Sequence, residues 1–125
     1  MSKEFVFLWM LFMHVLDDFK LQDGLLVNLK QKKFWQEKAP KEQYRFDYIV
    51  ALLMHGISWS FMIMLPIAVV MGFNVGMSFV AVFAANAIIH AAVDDFKANK
   101  LKINLIADQA IHLMQIVATF VVLMR

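Results

Sequence analysis

Four stretches of this chain, roughly residues 5–21, 48–71, 75–93 and 103–124, carry very little charge over about the 20 residues a helix needs to cross a bilayer. That feature removes most folds at once. A soluble domain of 125 residues could not hide so much apolar surface, and the 62% hydrophobic content with mean hydropathy +0.64 agrees. The expectation is an all-α integral membrane protein, a four-transmembrane-helix bundle formed as a single domain over residues 1–125. The first stretch is the weakest, because Asp17, Asp18 and Lys20 enter it. Those charges, and the lack of an Ala-x-Ala-type site behind it, argue for a retained helix rather than a cleaved signal peptide. With no cysteine in the chain, disulfides and thiolate ligands are excluded.

Residues 24–45 change character. Leu25, Leu26, Leu29, Phe34 and Trp35 alternate with lysines before Pro40 breaks the pattern, which predicts one short basic helix lying in the headgroup region between spans one and two. Pro66 falls inside span two and predicts a kink, while Gly72 to Gly76 predicts a tight turn. Ten basic residues sit between spans one and two or between three and four, against Lys3 and Arg125 on the other side. By the positive-inside rule both basic loops are expected in the cytoplasm and both termini outside, as in a bacterial inner-membrane protein. The sequence pI of about 9.0 is then a matter of topology. The expected partners are membrane lipids with anionic headgroups, with self-association open and no nucleic acid.

The chemistry is confined to four histidines, all inside apolar segments. His14 precedes Asp18 by four residues, His90 precedes Asp94 by four, and Asp108 precedes His112 by four; His55 stands in span two. Residues four apart share a helix face. Counted from the basic ends at 1.5 Å per residue, the histidines lie at a common depth of about 9 to 12 Å, with the aspartates one turn nearer the cytoplasm. His14-Val-Leu-Asp-Asp-Phe-Lys is nearly repeated as His90-Ala-Ala-Val-Asp-Asp-Phe-Lys, which suggests an internal parallel duplication. The repeat leaves open whether Asp17 or Asp18, and Asp94 or Asp95, face inward.

Ionised carboxylates inside a bilayer cost about 2.5 to 3.5 kcal/mol each on the mildest scale. The least costly compensation is a divalent cation. Imidazole and carboxylate suit zinc first, with manganese or iron also compatible, and paired helical motifs of this type hold two metals in soluble bundles. The candidate ligands are His14, Asp18, His55, His90, Asp94, Asp108 and His112, enough for one or two ions. Against this stands the bland reading, in which such pairs are interhelical glue or a proton relay. The methionines are scattered over all segments and read as packing, and nothing ties Trp9, Trp35 or Trp59 to a cofactor.

His14-x-x-x-Asp18-Phe19-x-x-Gln22, His55, His90-x-x-x-Asp94-x-x-Lys97 and Asp108-Gln109-x-x-His112 together resemble the small bacterial and phage membrane proteins grouped as domain of unknown function 3307. The resemblance spans nearly the whole chain, favours Asp18 over Asp17, and implies no reaction. The residues alone lead to three readings. One is a metal-dependent hydrolase of a membrane-associated phosphate, opening toward the cytoplasmic leaflet, with Asp18, Asp94 or Asp108 as base and Lys20, Lys97 or Lys100 meeting the phosphate. Another is a proton or metal-ion pathway. The third is a non-catalytic interaction or assembly protein.

Overall fold

The computed structural model describes residues 1–21 and 24–125. Gln22, part of the resemblance above, and Asp23, where the sequence pattern breaks, lie outside the described residues. Helix α1 (Lys3–Val15) starts where the Ser2 side chain accepts a hydrogen bond from the Phe5 N–H at 3.1 Å, closing one of the orphan donors of a helix start. It then widens into a π-helical stretch, Leu16–Leu21. Two short helices, α2 (Gly24–Leu29) and α3 (Lys32–Lys38), and a 3-10 turn at Glu42–Tyr44 lead to the long helices α4 (Asp47–Val70), α5 (Met77–Ala98) and α6 (Leu105–Leu123).

Among the described residues three helices are long and apolar enough to cross a membrane: the run ending at Val70, α5 and α6. The sequence expectation was four. Helix α1 falls short because its 13 residues give way to a stretch holding Asp17, Asp18 and Lys20. The expected single helix over 24–45 is likewise two helices with a break at Lys30 and Gln31. The cause of the break is visible in its partners. Asn99, at the C-terminus of α5, donates to the Lys30 carbonyl at 2.9 Å and accepts from the Lys32 N–H at 2.6 Å, so the backbone there bonds across to α5 instead of continuing its own ladder.

Helices α1, α4, α5 and α6 form an up-and-down bundle in which α4 packs most extensively against α5 and α1, and α6 against α5. Helix α4 runs unbroken through Pro66 and ends in a Schellman motif. The Phe73 N–H reaches the Ala68 carbonyl and the Gly72 N–H the Val69 carbonyl, with Gly72 at φ +63°, where the absence of a Cβ removes the strain. Farther up the same helix, Gly56 lies against α5 so tightly that a Cβ there would run into the Ala87 carbonyl oxygen.

Burial is inverted relative to a water-soluble bundle. Phe5, Leu8, Phe12, Phe61, Ile88 and Met114 are exposed, whereas four histidines, Asp17, Asp18, Asp94 and Asp108 are buried. This distribution and the three long apolar helices are compatible with a membrane location. Inside, the bundle divides along its length. Val6, Met10, Ile63, Met64, Ile67 and Ile116 form an apolar core at one end. The buried histidines and aspartates fill the other, and an Asn86–Thr119 hydrogen bond at 2.7 Å reaches in among the apolar side chains beside Met64.

Candidate metal centre

The four histidines come together as one row. Ring centroids lie 6.0 Å apart for His14 and His112, 4.0 Å for His112 and His90, and 4.9 Å for His90 and His55. The common depth expected from the sequence is therefore a common location. Each helix contributes by the same device, a histidine followed or preceded by a carboxylate one turn away, except α4, which supplies His55 alone.

Around His55 and His90 the donor atoms converge. The Nε2 of His55 lies 3.3 Å from Asp18 Oδ1 and 3.7 Å from Asp94 Oδ2. The Nε2 of His90 lies 3.8 Å from Asp18 Oδ1 and 3.7 Å from Asp94 Oδ2. Both ring nitrogens of His90, a residue with no exposed surface, have no hydrogen-bond partner among the described residues. Buried polar groups are nearly always partnered, so these atoms are available to hold a cation. Among the described residues three groups have donor atoms close enough for one ion: Asp18, His55 and His90; His90, Asp94 and His112; and Asp18, Asp108 and His112.

His14 stands beside this cluster rather than in it. The Trp59 indole, a donor only, gives its hydrogen to His14 Nδ1 at 2.8 Å. The His14 proton must then sit on Nε2, which donates to Gln109 Oε1 at 2.8 Å. The Gln109 amide nitrogen in turn donates to Asp18 Oδ2 at 2.8 Å and Asp108 Oδ2 at 3.0 Å. Trp59, His14 and Gln109 thus form a chain that clamps two aspartates from different helices. Trp59 also stacks on His90 at 4.4 Å, so one indole supports two of the histidines.

Both members of the first aspartate pair are buried. Asp18 faces His55 and His90, while Asp17 accepts from the Ser58 hydroxyl at 2.7 Å and lies 3.9 Å from His55 Nδ1. In the second pair only Asp94 faces inward; Asp95 turns to Lys100 at 3.5 Å and Asn99 at 2.7 Å. Two lysines enter the polar layer. Lys30, 4% exposed, reaches Asp94 Oδ2 at 2.8 Å. Lys97 reaches Asp108 Oδ2 at 3.2 Å. Lys20 is exposed. Among the described residues the layer therefore holds four carboxylates against two ammonium groups.

Sequence reasoning missed Lys30, Gln109 and Trp59 as parts of the centre. Lys30 belongs to a loop region with six other basic residues between Lys20 and Arg45, and nothing local marks it as the one that folds inward. Gln109 had a signal, its place between Asp108 and His112. Trp59 had one too, since it lies one turn from His55.

A family model described as a protein of unknown function, DUF3307, matches residues 6–125. No curated protein and no solved structure matches the chain.

Proposed function

Since the chain belongs to the DUF3307 family, whose description names no reaction, we propose from the centre itself that this is an integral membrane metalloprotein holding a divalent ion, zinc by preference, between Asp18, His55, His90 and Asp94. The supporting observation is the set of donor separations. A tetrahedral zinc with bonds of about 2.0 to 2.1 Å needs donors about 3.3 to 3.4 Å apart. Four of the six separations among these donors are 3.3, 3.7, 3.7 and 3.8 Å, so each of those histidine–aspartate pairs closes on an ion with a movement of a few tenths of an ångström. Two histidines with one aspartate also match the ligand type of hydrolytic zinc sites, which keep a fourth position open. Lys30 on Asp94 favours that open arrangement, because it holds the fourth donor by its inner oxygen.

The glue reading is disfavoured by the same atoms: polar groups that merely tie helices together satisfy one another, and among the described residues neither ring nitrogen of His90 has a hydrogen-bond partner. A pathway across the membrane is disfavoured by the apolar core that closes the far end of the bundle. In our reading helices α1, α4, α5 and α6 all sit in the bilayer, the exposed apolar face of α1 packing against lipid despite its length. Both basic loops lie in the cytoplasm of a bacterial cell, as the lysine bias directs. The centre then opens toward that leaflet, where Lys20, Lys97 and Lys100 are placed to meet a phosphate of a lipid headgroup. A bound ion there would polarise a phosphate oxygen and lower the pKa of a bound water, with an aspartate accepting the proton.

Protein purified in detergent without chelator should carry zinc, and should release inorganic phosphate from phosphatidic acid vesicles in a reaction abolished by chelator and restored by zinc. Asp18→Asn should reduce both. Zinc-free protein that does not take up zinc on addition would remove the metal reading; zinc-loaded protein inert toward phosphate lipids would remove only the hydrolase.

A further inference from the structure

Beyond the centre just described lies a pair of atoms that it does not use. His112 and Asp108 have no exposed surface, and His112 Nε2 faces Asp108 Oδ1 at 3.2 Å. Neither atom has a hydrogen-bond partner among the described residues. The hydrogen on His112 is located by its other neighbours. The Gln115 amide nitrogen donates to the backbone carbonyl of Asn86 at 3.2 Å, an acceptor whose role cannot change, and to Asn86 Oδ1 at 3.1 Å. Gln115 Oε1 therefore points the other way and accepts from His112 Nδ1 at 3.1 Å. This is how metal-bound histidines are ordinarily held, with the far nitrogen donating to a carbonyl and the near one left with its lone pair. In the neutral ring a lone pair and a carboxylate oxygen, both acceptors, then face each other out of line for a hydrogen bond but at the separation of two ligands on one ion.

We infer that Asp108 and His112 form a second cation position, for a divalent metal of the zinc type, with Asp18 as the carboxylate shared between the two. The inference rests on the first position being a metal site, and it deepens that reading. Asp18 belongs to a close donor group on each side, with His55 and His90 on one and with Asp108 and His112 on the other. Gln109 holds the outer oxygens of Asp18 and Asp108 with one amide nitrogen, which fixes the two carboxylates relative to each other. Lys97 bonds Asp108 Oδ2 and leaves Oδ1 free, so it neutralises charge without occupying the position. The two positions differ in strength. The layer lacks only two positive charges, so the first ion restores neutrality and the second binds against an excess.

The test is zinc stoichiometry by elemental analysis of the detergent-purified protein after dialysis at a series of free zinc concentrations, for wild type, Asp108→Asn and His55→Ala. Asp108→Asn preserves shape and removes a charge, and size-exclusion elution monitors folding for each variant. Wild type should bind one ion tightly and a second at least tenfold more weakly, Asp108→Asn should keep the tight ion and lose the weak one, and His55→Ala should weaken the tight one. One ion in wild type, unchanged in Asp108→Asn, overturns the second position and leaves the first standing. One ion that survives His55→Ala and disappears in Asp108→Asn overturns the first position instead. No ion in any protein overturns both. Should Asp108→Asn fail to fold, Gln115→Leu removes the acceptor that orients His112; loss of the weak ion alone supports the inference, and unchanged weak binding overturns it.

Discussion

Replacing Lys30 by methionine separates what that side chain does for the metal-free protein from what it does against the metal. Methionine keeps most of the length and apolar surface and removes the charge. Without metal, Asp94 loses the ammonium 2.8 Å away, and breaking a buried pair in this way costs about 3 to 5 kcal/mol. With metal the sign reverses, because ammonium and ion contend for the same oxygen, Asp94 Oδ2. Unit charges 4 Å apart interact by about 4 kcal/mol at an effective dielectric of 20, so an ammonium and a divalent ion repel by about 8 kcal/mol. Lys30 can withdraw and recover part of that, so about 1.4 to 4 kcal/mol should remain, a ten- to thousandfold gain in zinc affinity. Thermal unfolding in detergent, with chelator or with zinc, and a competition titration against a chelating dye give the readings. Lys30→Met should melt below wild type in chelator and show the larger upward shift on adding zinc. An affinity that is unchanged or lower, or equal destabilisation in both conditions, would refute the competition for Asp94.

Three further outcomes follow from the geometry. His14→Leu should lower zinc affinity about 10- to 100-fold, as loss of an outer partner does, without changing stoichiometry; a lost equivalent of metal would make His14 a ligand after all. In a Trp9→Phe, Trp35→Phe background the fluorescence of Trp59, stacked 4.4 Å from His90, should be quenched on loading cobalt, and a signal indifferent to cobalt would place the ion away from that ring. A cysteine at Gln36 should be protected from impermeant reagents added outside intact cells; labelling from outside would invert the proposed topology.

The sequence carried the histidine row plainly, because residues four apart on apolar helices can only stack, and charge bias placed all four at one depth. It could not assign their roles. His14 and His90 head nearly identical strings, yet one has both nitrogens engaged by Trp59 and Gln109 and the other has neither hydrogen-bonded among the described residues. That difference is made by partners on other helices. The doubled aspartates were undecidable for a related reason: they stand three and four positions after His14 but four and five after His90, so aligning the histidines and aligning the aspartates give different answers, and the π-helical stretch turns Asp17 and Asp18 inward together. Lys30 was hidden by its setting, since what distinguishes it from the surface lysines beside it, the bond from Asn99 to its carbonyl and its own bond to Asp94, is made by residues far along the chain.

The contact between Gly56 and the Ala87 carbonyl acts as a gauge block for the whole centre. His55 is the residue before Gly56, and His90 lies three after Ala87, so the spacing of α4 and α5 is also the spacing of the two imidazoles. A single added methyl at Gly56 would part the helices and lengthen several donor separations at once, with every ligand still in place. Ion selection by size would then be written into a backbone contact rather than into the choice of ligands. Gly56→Ala should shift preference from zinc toward a larger ion such as manganese, measured as the ratio of the two affinities, while a ratio that stays constant would show that the centre sets its own dimensions.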